Sequence, residues 1–223
     1  MRRRGGWTLA LLLGAAAALA GEEGADGVGP DVAPRVDEAA QRVIVPARLC
    51  LEGFAQGDPP GHHLVAWARG GAGKKALLRT PVPDEQVLDA LLRLGAQAGD
   101  NLSAAAWEAR ADLTNPAPDA RAEGTALRVL VRLPDGTERP AADLLEDVDQ
   151  RGFEWRLAGN RALIPRWRSG CVACLQSCPG AKVANRNATM RDLHQGKSRF
   201  RAAAWARELG EGARLEVVFE VPR

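Results

Sequence analysis

Three cysteines lie close together in the C-terminal part of the 223-residue chain, at Cys171, Cys174 and Cys178. Their spacing, C-x2-C-x3-C followed by proline, coincides with the last three cysteines of the ferredoxin run C-x2-C-x2-C-x3-C-P. On a helix, all three side chains would lie on one face and could hold one metal centre. The string therefore predicts a metal or iron–sulfur centre. A 4Fe–4S cluster for electron transfer is preferred, and zinc is the alternative.

The ferredoxin run has a fourth cysteine, and Arg168 occupies its position here. A guanidinium stays protonated and offers no lone pair to a metal. Cys50 is the remaining thiol, so we predict that it completes the site, with His194 as the alternative fourth ligand. His62 and His63 stand at the start of a predicted strand, where a core or edge histidine is the favoured interpretation.

Disulfide bonding is the competing interpretation of the four cysteines. In an oxidising compartment Cys171 can pair with Cys174, and Cys50 with Cys178, which leaves no ligand for a metal or cofactor. The protein would then be a disulfide-stabilised interaction module.

A basic segment surrounds the cysteines. Residues 161–201 carry nine basic side chains and a single acidic one, Asp192. This segment indicates either a docking surface for an acidic or redox protein partner, or a solvated face. The formal net charge of the whole chain is only +2, which gives no support to a nucleic-acid partner.

The first twenty residues have the features of a bacterial signal peptide. Three arginines precede an uncharged run from Trp7 to Ala20, which ends in the small-x-small pattern Ala18-Leu19-Ala20. The run is shorter than the roughly 20 residues that span a bilayer. We therefore expect cleavage before Gly21, a mature protein with no membrane span, and a periplasmic or secreted location. Both the general secretory and the twin-arginine route stay open.

The rest of the chain predicts one domain behind a flexible segment. Residues 21–34 hold four acidic side chains and no basic one, which predicts a disordered acidic tether. Period-two patterns predict strands at 43–45, 48–51, 62–69, 75–80, 127–133, 153–157 and 215–221, with 62–69 and 75–80 forming a hairpin. Apolar residues at helical spacing predict a helix from Asp84 to Leu94. The predicted fold is α+β over residues 35–223, with a mainly antiparallel sheet, a few short helices and a C-terminal cysteine-bearing segment.

Residues 61–100, together with LRVLVRLPDGTERPAADLL at 127–145 and FEWRLAGN at 153–160, resemble the YdjY-like domain family of exported bacterial proteins. The resemblance covers about residues 36–165. That family has no established activity, and the ferredoxin-type label of some relatives implies an iron–sulfur role for the cysteine cluster. The family pattern places a His-Glu pair before two leucines, whereas this chain has Lys74-Lys75-Ala76 before Leu77 and Leu78.

An enzymatic function has no positive support in the sequence. A Gly-x-Ser-x-Gly elbow, a phosphate-binding loop, a His-Glu-x-x-His string and a dinucleotide fingerprint are all absent from the sequence.

Overall fold

The structure is a computed structural model that describes residues 30–56, 61–112, 114 and 119–223. The predicted signal peptide at 1–20 and most of the predicted tether at 21–34 lie outside the described residues. The described end of the tether contacts the folded domain, because Asp31 accepts a hydrogen bond of 2.8 Å from Nε1 of Trp67. Among the described residues, no helix has the length and apolar character needed to cross a bilayer.

Twelve strands and six α-helices make up the described fold. The strands are β1 Arg35–Asp37, β2 Arg42–Leu49, β3 His63–Trp67, β4 Ala76–Thr80, β5 Ala126–Arg132, β6 Glu138–Pro140, β7 Leu145–Asp147, β8 Trp155–Leu157, β9 Cys171–Cys174, β10 Val183–Asn185, β11 Phe200–Ala202 and β12 Arg214–Glu220. The α-helices are α1 Leu51–Ala55, α2 Asp84–Arg93, α3 Ala104–Glu108, α4 Ile164–Trp167, α5 Met190–His194 and α6 Ala204–Leu209.

Eight of the strands close into a barrel in the order β2, β12, β5, β8, β10, β9, β3, β4 and back to β2. One edge of β2 closes the ring, since it pairs first with β1, through residues 42–44, and then with β4, through Arg48 and Leu49. Pro46 lies between these two stretches and is exposed. A residue without an N–H fits this position, where the partner strand on that edge changes.

The predicted α+β fold with a mainly antiparallel sheet is wrong, because the sheet is a closed mixed barrel. The pairs β3–β4 and β9–β10 are parallel. The prediction failed at these two pairs because each connection, 68–75 and 175–182, spans only eight residues. Parallel strands normally need a crossover of about a dozen residues or more, so the short link at 68–75 was interpreted as a hairpin. The cysteine segment is not an appendage either, since it supplies β9.

The predicted helix at 84–94 is observed as α2, Asp84–Arg93. Val87, Leu88 and Leu91 of this helix are buried in the main core together with the inward side chains of the barrel. Full burial of one such side chain, compared with leaving it exposed, contributes about 1.5–3 kcal/mol to the stability of the fold. The helix packs against both β2 and β9, so it links the closing edge of the barrel to the strand that carries Cys171 and Cys174.

A buried ion pair joins α2 to the segment between β9 and β10. Nζ of Lys182 lies 3.1 Å from a carboxylate oxygen of Asp84, and the two side chains are only 1% and 7% exposed. Lys182 also donates to the carbonyl of Gly180 at 3.0 Å. Pro83 holds the N-cap position of the helix, and the carboxylate of Asp84 binds Lys182.

We predict that Lys182→Met lowers the free energy of unfolding by about 3–5 kcal/mol, because it leaves the carboxylate of Asp84 buried without a counter-charge. Urea denaturation measures this change. Lys197→Met is the matched control, since Lys197 belongs to the same basic stretch, residues 161–201, but is exposed. The double variant Asp84→Leu/Lys182→Met should recover most of the loss. Equal stability of Lys182→Met and the wild type would contradict this account.

Candidate metal centre

Two register shifts in the antiparallel pair β3–β9 create the site. Ala66 pairs with Cys171, Val65 with Ala173, and His63 with Cys174, so each strand gains one extra residue between paired positions. Residues three apart on a regular strand face opposite sides of the sheet. An inserted residue in each strand brings the flanking positions back to one face, as β-bulges do.

The burial pattern agrees with this register. Leu64 and Val65 on β3, and Val172 and Ala173 on β9, all belong to the main core. The flanking Ala66, Cys171 and Cys174 belong instead to a second buried cluster. Along residues 63–66 of β3 and 171–174 of β9, the four side chains therefore face outward, inward, inward and outward.

His63, Cys171 and Cys174 converge as a result. Nδ1 of His63 lies 3.2 Å from Sγ of Cys171, and the ligand atoms of the three residues all lie within 4.8 Å of one another. All three side chains are buried. This group can hold a metal ion.

Cys178 lies beside the group. It follows Gln176 and Ser177 in the connection to β10, and its thiol interacts with that of Cys174. The structure therefore brings together the three cysteines of the C-x2-C-x3-C-P string. It does so from a strand and a following loop, and not from the helix that we considered in the sequence. All four cysteines of the chain are free thiols here.

Burial controls the protonation of these groups. The pKa of the His63 imidazole is held well below its usual range by burial, with smaller effects from His62 and Lys75. Burial, reinforced by Cys171, raises the pKa of the Cys174 thiol well above its usual range. Interaction with Cys174, followed by burial, does the same for Cys178. A neutral imidazole is the form that binds metals, and a bound cation displaces thiol protons.

Small side chains make room for the site on the outer face of the barrel. Seven alanines surround the cysteines in the second buried cluster: Ala66, Ala72, Ala76, Ala122, Ala158, Ala181 and Ala184. Helix α5, with a capping box between Thr189 and Asp192, covers the cluster by burying Met190 and Leu193 against it.

Close contact between two glycines brings the ends of β3 and β9 together. A Cβ atom on Gly70 would lie 2.5 Å from Cα of Gly170, and Gly170 has a φ of 66°. Ser169, one residue earlier, accepts a hydrogen bond from the N–H of Cys171 at 3.3 Å and donates to the carbonyl of Gly180 at 3.1 Å. These contacts tie the start of β9 to the loop that follows Cys178.

A cavity of about 910 Å³ opens onto the group. His63, Cys171 and Cys178 line its buried end, whereas Cys174 lies behind them and is not part of the lining. Trp107 and Trp167 form an aromatic wall, with ring centroids 5.5 Å apart in an edge-to-face arrangement. The exposed Lys75 and His194, and the half-buried Arg110, line its outer part.

The structure places the two predicted fourth ligands elsewhere. Cys50 caps the start of α1, where its thiol lies 3.7 Å from the carbonyl of Arg48. Burial raises the pKa of Cys50, and the nearby Arg79 opposes that effect. Cys50 does not belong to the group formed by His63, Cys171 and Cys174. His194 lines the same cavity but is exposed.

Sequence reasoning missed His63. It was interpreted as a core or edge histidine because its spacing to the cysteines, more than one hundred residues, carries no motif. The one available signal was the His62-His63 pair itself, and the structure places both imidazoles on the same cavity, with ring centroids 3.7 Å apart.

Several basic side chains of residues 161–201 pair with acids elsewhere in the chain. The pairs are Arg161 with Asp89, Lys182 with Asp84, Arg186 with Glu154, and Arg199 with Asp149. Part of the positive charge predicted for partner docking therefore has intramolecular counter-charges.

Comparison with known proteins identifies one family. The YdjY domain matches residues 35–220, which include every strand of the barrel and the whole candidate site. No curated protein and no solved structure matches the chain. The chain therefore belongs to the YdjY domain family.

Proposed function

We propose that this protein binds a single soft transition-metal ion, preferably Zn²⁺, through His63, Cys171 and Cys174. The observation that carries the proposal is the convergence of one imidazole and two thiols in a buried group on two neighbouring strands. Thiolate and imidazole are the donors that zinc prefers, and two thiolates balance the charge of one divalent ion.

The distances favour one ion over an iron–sulfur cluster. Zn–S and Zn–N bonds of about 2.3 and 2.0 Å place tetrahedral ligand atoms roughly 3.4–3.8 Å apart. The separation of 3.2 Å between His63 and Cys171, and the limit of 4.8 Å for the whole group, are close to this range. In a 4Fe–4S cluster the protein ligands bind different irons, so their atoms lie further apart.

We also propose that the protein acts outside the cytoplasm, as the first twenty residues indicate. In an oxidising compartment, bound metal would protect the clustered thiols from oxidation, because coordination and disulfide formation compete for the same sulfurs.

His63→Ala and Cys174→Ser should each lower zinc content from about one ion per chain to less than about a fifth, because each removes one of three protein ligands. Elemental analysis of purified, buffer-exchanged protein measures this content. His194→Ala and Cys50→Ser are the matched controls, since they remove the same ligand types outside the group. Zinc loss in either control, with retention in His63→Ala, would move the ligand to that residue.

To distinguish a zinc ion from an iron–sulfur cluster, the protein is produced with both iron and zinc available. We expect one zinc ion per chain, no acid-labile sulfide and no visible colour. Sulfide and iron at about four each per chain would replace the zinc proposal with the 4Fe–4S cluster and its electron-transfer role.

A thiol count on unreduced protein separates metal binding from the disulfide-stabilised interaction module. After denaturation in the presence of a chelator, we expect four free thiols per chain, because coordinated cysteines are released reduced. A count of zero, together with no metal, would support two disulfides and a role in docking an acidic partner.

For export, we expect the mature protein to begin at Gly21. The intact mass of protein recovered from the periplasm or the medium of a bacterial host identifies the first residue of the mature chain. A mass that includes Met1 would contradict cleavage.

A further inference from the structure

The group formed by His63, Cys171 and Cys174 leaves one position of a tetrahedral ion without a ligand from these three residues. Catalytic and ligand-binding zinc sites have this composition, with three protein ligands and one exchangeable position, whereas structural sites have four. Of these three ligands, His63 and Cys171 line the cavity and Cys174 does not. Cys178 lines the cavity as well, but it is outside the group whose ligand atoms all lie within 4.8 Å of one another. The open position would therefore face the cavity of about 910 Å³.

The walls of this cavity have an aromatic and a cationic part. Trp107 and Trp167, in edge-to-face contact, form the aromatic part. Arg110 is already engaged, since its guanidinium stacks 4.1 Å from the centroid of the Trp107 ring and donates to the carbonyl of Trp107 at 2.6 Å. Volumes of this size, with apolar walls and a few polar groups, are typical of small-molecule sites.

Lys75 is the cation that stays available. It is exposed, lines the cavity, and lies near enough to His63 to affect the imidazole electrostatically. Within the described residues, no ion pair or hydrogen bond engages its ammonium. Zinc with two thiolates is neutral, and the described lining of the cavity carries two cations, Lys75 and Arg110, against the single carboxylate of Glu108, so the lining has a net positive charge.

We propose that the cavity binds a small organic anion with a planar apolar body. This inference rests on the proposed zinc site. The anionic group occupies the open position of the ion and is paired with Lys75, and the planar body packs against Trp107 and Trp167. Carboxylate oxygen is an accepted ligand of zinc, and a charge-assisted hydrogen bond to an ammonium is stronger than a neutral one.

The test is a titration of zinc-loaded protein with benzoate, followed by calorimetry and by tryptophan fluorescence. Benzyl alcohol has the ring without the charge, and acetate has the charge without the ring. We expect benzoate to bind at least about tenfold more tightly than either, because only benzoate uses both parts of the cavity. Equal affinities for all three would overturn the proposal.

Two pairs of variants separate the contributions of the Lys75 charge and of the aromatic wall to benzoate binding. Lys75→Gln should weaken benzoate binding by about five- to tenfold, whereas Lys74→Gln, the exposed neighbour outside the cavity lining, should not. Trp167→Leu should reduce the fluorescence response, and Trp205→Leu, on a ring outside the cavity, should leave it unchanged. No difference between Lys75→Gln and Lys74→Gln would overturn the anion assignment.

Zinc content is measured on the same samples. Zinc-loaded protein that does not bind benzoate overturns this inference alone and leaves the metal site intact. Protein that holds no zinc overturns both. Benzoate binding that is equally tight before and after removal of zinc by a chelator would show that the anion does not occupy the metal, and would overturn the open-position argument.

Discussion

The shifted register between β3 and β9 is the constraint on which the site depends. With regular pairing, His63 and Ala66 would face opposite sides of the barrel wall, and so would Cys171 and Cys174. One of the two thiols would then enter the main core, among Leu64, Val65 and their neighbours. The two extra residues keep the apolar pairs Leu64-Val65 and Val172-Ala173 inside and turn the polar residues outward together.

The outer face can bury these groups only because it is built of small residues and covered by local chain. Alanines border the cysteines, and the segment from Ser177 to α5 lies across them. Buried polar atoms there have partners: the thiol of Cys174 donates to the carbonyl of His62 at 3.2 Å, and the hydroxyl of Ser177 donates to the carbonyl of Asn185 at 3.1 Å. Such pairing offsets the cost of desolvating polar groups, which is about 1–3 kcal/mol for each unsatisfied one. These polar atoms of the site therefore have hydrogen-bond partners within the protein, and the side of the site that faces the cavity is open.

Local patterns in the sequence predicted the elements better than their arrangement. The helix from Asp84 and the strands around Val129 and Val217 follow from periodicity, because each buries one face along its own length. Barrel closure does not follow, since it depends on pairing between distant segments such as β2 and β12. The clustering of the three cysteines was predictable from spacing alone. The role of His63 was not, because the pairing of β3 with β9 is a tertiary property that leaves no spacing signal in the chain.

The pairing around β9 also bears on what metal binding does to the barrel wall. On one side β9 meets β3 through an interrupted ladder, and on the other side it meets β10 through only two parallel residue pairs. Parallel pairing is slightly weaker per residue than antiparallel pairing, so β9 is held less firmly than β2 or β12, whose ladder spans seven pairs. Segments with few ladder bonds open locally at a lower free energy than the whole molecule unfolds. An ion that joins Cys171 and Cys174 to His63 would act as a cross-link at this loosely held strand, so metal binding would raise the free energy needed to open this part of the barrel wall.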